Sequence, residues 1–172
     1  MLGDVFPDFV VHEGFQGKTT VDKLIEHKPT MFVVLRYIGC TVCRYVVHML
    51  TKRIQEFKDK GVNVCVVMQS KSKNVKKDLA GKQLLFPLIC DTHMTLYNSL
   101  DIEPANSMEE LVDKDMDALK IKSIKAKACG FVHGIYEGNA QQLPAFFYVD
   151  ENRKVLVVHY AKTIVDMLSY IQ

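Results

Sequence analysis

The apolar run Met31-Phe32-Val33-Val34-Leu35 leads through Gly39 into Cys40-Thr41-Val42-Cys43, and there the spacing of apolar residues changes. Before the cysteines the residues are continuously apolar and rich in β-branched and aromatic types, as in a buried strand. After them Cys43, Val46, Val47, Leu50, Ile54 and Phe57 recur at helical spacing. Gly61 closes that helix. A buried strand that runs through C-x-x-C into an amphipathic helix requires an α/β architecture with the cysteine pair at the helix N-terminus.

The rest of the chain continues the alternation. Phe9-Val10-Val11 reads as a short strand and Gly14 to Gly17 as a loop. Thr20 is placed to cap a helix carrying Val21, Leu24 and Ile25, which Pro29 stops. Val62 to Met68 reads as a second buried strand, Ser72 to Lys82 as a polar helix, and Pro87 to Cys90 as a short strand. Asp91 or Thr92 caps a helix holding Met94, Leu96, Tyr97 and Leu100. Residues 103–141 have poor periodicity. Met108 to Met116 is helical and acidic in pattern, Lys120 to Lys127 is basic, and Gly130, Gly134 and Gly138 mark irregular backbone. This stretch has too few apolar residues for a core of its own and reads as an insertion. Ala145 to Val149, the turn Asp150 to Arg153, and Val155 to Tyr160 form a hairpin. Ile164, Val165, Leu168 and Ile171 predict a C-terminal amphipathic helix. The 172 residues are expected to make one domain.

The net charge of +2 gives no general attraction to nucleic acid or to acidic membranes, so neither is expected as a partner. Lys71, Lys73, Lys76 and Lys77 read as a solvated helix face. The N-terminus has no basic segment before an apolar one, and no apolar run is long enough to span a bilayer, so a cytoplasmic location is expected. The five cysteines are odd in number and irregular in spacing, unlike a disulfide scaffold.

At a helix N-terminus, unpaired N–H groups and the helix dipole favour an anion. Thiols in this setting fall to about 3.5–7.5 from about 8.5. Arg36 and Arg44 flank the pair and add positive potential. Cys40, expected nearest the helix start and solvent, is the candidate attacking thiolate, and Cys43 is the resolving thiol. Gly39 lets the backbone turn sharply between strand and helix. Two competing readings remain: half of a zinc site, or a pair of inert core thiols. No second pair of ligands at zinc spacing is evident, so no metal and no cofactor is expected. Cys65 and Cys90 read as small apolar core residues, and Cys129 as a candidate extra redox partner. His133 and His159 are candidate proton carriers.

Arg36-Tyr37-Ile38-Gly39-Cys40-Thr41-Val42-Cys43-Arg44, Gly130-Phe131-Val132-His133-Gly134, Glu137-Gly138, Gln142-Leu143-Pro144-Ala145, Val149-Asp150 and His159-Tyr160 together resemble the peroxiredoxin-like branch of the AhpC/TSA family. The resemblance covers nearly the whole chain. It implies a thioredoxin-like fold with an N-terminal extension and a central insertion. It also implies that the His-Gly and Glu-Gly segment walls the site, and that Pro144 shapes the substrate groove through a cis Leu143–Pro144 bond. Two departures stand out. Cys40 occupies the position of the family's peroxide-holding threonine, with Cys43 in the peroxidatic position. No arginine stands beside Gln142-Leu143-Pro144, where the family carries one.

The function expected is therefore thiol–disulfide oxidoreduction, with substrate contacts from Pro144, Arg36 and Arg44. One alternative is a thiol peroxidase in which Cys43 reduces hydrogen peroxide or an alkyl hydroperoxide. Another is a non-enzymatic module that binds zinc or a partner protein. The expected partners are a disulfide or peroxide and a thiol reductant such as thioredoxin, glutaredoxin or glutathione.

Overall fold

In the computed structural model, which describes residues 1–112 and 116–166, the chain opens on a hairpin of β1 (Val10–Glu13) and β2 (Gly17–Thr20). The second strand is polar and reads as loop from sequence. It forms because β1 supplies an antiparallel partner from Val10↔Thr20 to Glu13↔Gly17. The buried Glu13 carboxylate fixes the turn by accepting from the N–H groups of Phe15 (2.8 Å) and Gln16 (2.6 Å). Thr20 then caps α1 (Val21–Ile25), its Oγ1 accepting from Lys23 N at 3.3 Å.

Next come β3 (Thr30–Val34), α2 (Thr41–Asp59), β4 (Asn63–Met68), α3 (Ser72–Asp78), β5 (Leu88–Cys90) and α4 (Thr95–Ser99). Asp91 is the residue that caps α4, accepting from Thr95 N and Leu96 N at 3.0 and 2.7 Å. α5 (Met108–Val112), α6 (Met116–Ala128), β6 (Ala145–Val149) and β7 (Val155–Tyr160) complete the described elements.

The seven strands form one sheet in the order β2-β1-β5-β4-β3-β6-β7. β3, β4 and β5 are mutually parallel, and the outer pairs are antiparallel. β3 is buried on both sides, which is why its sequence is continuously apolar. Met31, Val33 and Leu35 join one core with α2, α3 and α6; Phe32 and Val34 join another with α1, α4 and Phe6. Phe6 brings the N-terminal extension onto the sheet by stacking on Phe32 with ring centroids 4.1 Å apart.

α6 has no amphipathic signature because its pattern is inverted. Lys122 is buried, with its ammonium donating to Val165 O at 2.8 Å, while Ile121 and Ile124 face solvent. The helix nevertheless lies along α2, with Ala118 and Leu119 packed on the first core. Of the expected C-terminal helix, Ile164 and Val165 are buried in the first core, and Leu168 and Ile171 lie outside the described residues. No helix among the described residues is long and apolar enough to cross a membrane.

Candidate active site

The site forms where the parallel strands end. Beyond β3, Arg36 O accepts from Gln69 N at 2.9 Å and Ile38 N donates to Ser70 Oγ at 2.8 Å, so the segment after β4 holds the approach to the cysteines. Cys40 is the N-cap of α2, with extended backbone and Cys40 O accepting from Arg44 N at 2.9 Å. Cys43 is one turn inside the helix.

Both thiols are free and buried: Cys40 is 2% exposed and Cys43 is 3% exposed. This corrects the expectation that Cys40 lies close to solvent. The two sulfurs differ in ionisation even so. The neighbouring Cys43 thiol donates to Cys40, burial opposes ionisation, and the Arg36 guanidinium offsets that opposition; the net result brings Cys40 down to about 5. Burial, and the Cys40 thiolate next to it, push Cys43 well up. The pair is thus one thiolate and one thiol sharing a proton donor.

Arg36 is itself buried, and its Nη2 donates to Cys40 Sγ at 3.1 Å while Nη1 donates to Ala140 O. A guanidinium therefore sits on the thiolate although Gln142-Leu143-Pro144 supplies none. Arg44 is engaged elsewhere. Its Nε pairs with Asp78 at 2.9 Å, its Nη1 donates to Val132 O at 2.8 Å, and its guanidinium lies 5.2 Å from the Phe131 ring centre.

Those Arg44 contacts anchor a strap, residues 131–140, that crosses the start of α2. Tyr37 Oη lies 3.2 Å from His133 Nε2, and His133 Nδ1 is 2.8 Å from Gly134 O. A carbonyl only accepts, so Nδ1 carries the proton and Nε2 accepts from Tyr37. Gly134 N donates to Gly39 O at 2.8 Å. Glu137 Oε1 accepts from Lys71 N at 2.9 Å and from Asn74 Nδ2 at 2.7 Å. Gln69 and Asn139 exchange two bonds, and Ala140 is tied to Arg36. The glycines allow the close approach. A Cβ on Gly39 would lie 2.2 Å from Ile135 O, and one on Gly138 would lie 2.1 Å from Gln69 Oε1. The backbone does turn at Ile38-Gly39, with Cys40 N donating to Tyr37 O at 3.2 Å, but Gly39 has no positive φ; what requires glycine there is the close approach of the strap.

Pro144 sits at the start of β6, next to Ala145, which pairs with Val34 of β3; Pro144 O accepts from Ala161 N at 3.1 Å. No cis peptide bond occurs among the described residues, so the Leu143–Pro144 bond is trans, the form that X-Pro bonds favour by about 0.5–1 kcal/mol. His159 faces Asp166 at 3.1 Å, on the β7 side of the sheet. Cys129 is exposed just beyond α6. Cys65 and Cys90 are buried, and burial raises both thiols, Cys90 to about 12, as inert core groups require. Among the described residues no three His, Cys, Asp or Glu side chains group in a way that could hold a metal ion. Gln69, Ser70, Asn139 and Ala140 position the site without any sequence signature of their own.

The low Cys40 value has a consequence for stability. A thiol at about 5 in the folded chain and about 8.5 when unfolded contributes stability that is fully present above the unfolded value. That contribution is lost as pH falls toward 5. Urea unfolding of the reduced chain and of Cys40→Ser, compared between pH 9 and pH 5, is expected to show the wild-type advantage shrinking steadily. A gap that does not change with pH would contradict the thiolate assignment.

The model of the AhpC/TSA family matches residues 2–158. No curated protein sequence matches. Among solved structures, the peroxidoxin BcpB of Mycobacterium tuberculosis is similar with a TM-score of 0.67 at 12% identity, over 99% of this chain and 93% of that one. A putative thiol:disulfide interchange protein DsbE from Chlorobium tepidum gives 0.61 at 17% identity, over 100% and 99%. The reduced 2-Cys peroxiredoxin of Plasmodium vivax gives 0.65 at 15%, over 99% and 79%. At these identities the likeness is one of fold, the thioredoxin fold.

Proposed function

Because this chain belongs to the AhpC/TSA family, we propose that its thiol chemistry is dithiol–disulfide exchange, with Cys40 attacking and Cys43 resolving. The observation that carries the reading is the Arg36–Cys40 contact beside a neutral Cys43. The Cys40 thiolate attacks one sulfur of a substrate disulfide, and the other sulfur leaves as a thiolate. Cys43 then loses its proton and attacks Cys40 Sγ, expelling the second substrate thiolate. Two electrons pass from the pair to the substrate, and an external thiol such as thioredoxin, glutaredoxin or glutathione returns them. The strap has to yield before a protein disulfide can reach a sulfur as buried as Cys40. Pro144, at the start of β6, is the candidate for shaping the substrate groove, and Arg44 serves substrate access through the strap rather than by touching sulfur.

Burial also favours a second reading, in which the oxidant is small. Cys40, not Cys43, would then attack a peroxide, because Cys43 is held protonated. Cys40 becomes a sulfenic acid as the O–O bond breaks and the alcohol or water departs; Cys43 condenses with it, releasing water. Arg36 supplies a donor, but the family's threonine position is then the attacking Cys40 itself, so that position contributes no hydroxyl.

Disulfide and peroxide second-order rate constants, measured with the same reductant and pH, separate the two. The disulfide is expected to react faster. A peroxide constant above about 10⁶ M⁻¹s⁻¹, well inside the range of efficient enzymes, would make the chain a peroxidase first. In either case peptide mapping after mild oxidation is expected to find Cys40 linked to Cys43, and reduction to restore both thiols. Two thiols that stay alkylatable in the oxidised, folded chain would exclude the dithiol mechanism.

A further inference from the structure

The adjacent parallel strands β4 and β5 send their helices to opposite faces of the sheet. α3 carries Val75 into the core shared with α2, and α4 carries Leu96 and Tyr97 into the other. In an open α/β sheet the carboxyl ends of two such strands leave a crevice between the diverging connections, and that is where ligands bind. A cavity of about 420 Å³ opens at these carboxyl ends, walled on one side by Lys71 and Ser72 after β4 and the connection after β5, and on the other by β1 and Lys18 of β2; it is within the size range of small-molecule sites.

Its floor is apolar, made by the buried Val11, Ile89, Cys90 and Leu96. Its rim is cationic or polar, with Lys18, Lys71, His12 and His93. Asp91 is the one carboxylate in the lining, and it is occupied by the N–H groups of Thr95, Leu96 and Tyr97. Lys18 and Lys71 form no ion pair among the described residues. The charge of the lining side chains at the mouth is therefore positive, with the Glu137 carboxylate beside it held on Lys71 N and Asn74 Nδ2. Neither Cys40 nor Cys43 lines the cavity, and the Cys90 thiol in its floor, raised to about 12 by burial, does not react there. The cavity has the character of a binding site separate from the redox centre.

We propose that the cavity at the carboxyl ends of β4 and β5 binds a small amphipathic organic anion, with its carboxylate or phosphate against Lys18 and Lys71 and its apolar body on Val11, Ile89 and Leu96. An anionic head alone would leave the apolar floor in water, and an apolar molecule alone would make no use of the positive rim. The occupant needs both parts.

The test uses the full chain and the fluorescent anion 8-anilinonaphthalene-1-sulfonate. One molecule is expected to bind per chain, and octanoate or phenyl phosphate to displace it. Displacement by one and not the other would identify the head group. The double variant Lys18→Gln/Lys71→Gln, in which both changed side chains are exposed, is expected to keep its circular dichroism spectrum and to bind the probe at least tenfold more weakly. The proposal is overturned if the probe does not bind, if the double variant binds it as tightly, or if neither competitor displaces it. It is also overturned if inorganic phosphate displaces the probe as well as octanoate does, since the apolar floor would then contribute nothing.

Discussion

Replacing Arg36 with glutamine is expected to raise the Cys40 titration from about 5 toward the ordinary thiol range. The guanidinium acts on the thiolate both by charge and by a direct hydrogen bond. Loss of an adjacent opposite charge typically shifts an ionisation by about one to three pH units. Near pH 6 the wild-type thiol is mostly ionised. Iodoacetamide labelling of Cys40 there is expected to slow by about twofold for a shift of one unit and about tenfold for a shift of two, while the rates converge above about pH 9 where both are ionised. Labelling rates for each cysteine, followed by peptide mass spectrometry across pH 4 to 10, provide the measurement. A variant whose inflection stays near 5 would show that the Cys43 thiol and the helix start suffice without Arg36.

Gly39→Ala is expected to affect both stability and access to the thiol. The added Cβ would lie 2.2 Å from Ile135 O and 2.8 Å from Ile135 N, both backbone atoms that cannot rotate away. The strap must lift, and the bond from Gly134 N to Gly39 O lengthens or breaks. Overpacking of this kind costs about 1–3 kcal/mol, and the lost bond adds about 1 kcal/mol. The same displacement loosens the strap's hold on Gly39, next to Cys40, and is expected to open access to the thiol. Urea unfolding is expected to show the loss of stability, and labelling at pH 9, where ionisation no longer limits the rate, is expected to be faster than in wild type. Reduced stability without faster labelling would mean that residues 131–140 do not control access to the thiol.

The strand-to-helix junction, the cysteine pair and the flanking Arg36 are legible in the sequence because each obeys local rules: β-branched continuity, helical spacing and a charge beside a motif. The strap is only partly legible. Its glycines mark irregular backbone, but its anchors are mostly backbone carbonyls, at Gly39, Val132 and Ala140, and carbonyls carry no residue code. Gly39 shows the limit well, since a glycine needed for close packing and one needed for a turn look alike until the neighbour is placed. α6 is hidden for a different reason. Tertiary contact buries Lys122 against Val165 O and leaves Ile121 and Ile124 outside, which reverses the polarity that periodicity relies on. The burial of Cys40 arises from the same long-range packing. No count of residues around the motif anticipates that Arg36, tied to Ala140 of the strap, lies on the Cys40 sulfur.

The division of labour between the two sulfurs is tested most directly by trapping. Cys40→Ser and Cys43→Ser variants are each mixed with a labelled model disulfide at pH 7, quenched with acid and read by intact mass and peptide mapping. Cys43→Ser is expected to accumulate a mixed disulfide on Cys40, because the attacking thiol is present and the resolving one is gone. Cys40→Ser is expected to remain unlabelled at the motif, with Cys43 buried and protonated. A stable adduct on Cys43 in the Cys40→Ser chain, with none on Cys40 in the Cys43→Ser chain, would contradict the assignment and reverse the two roles.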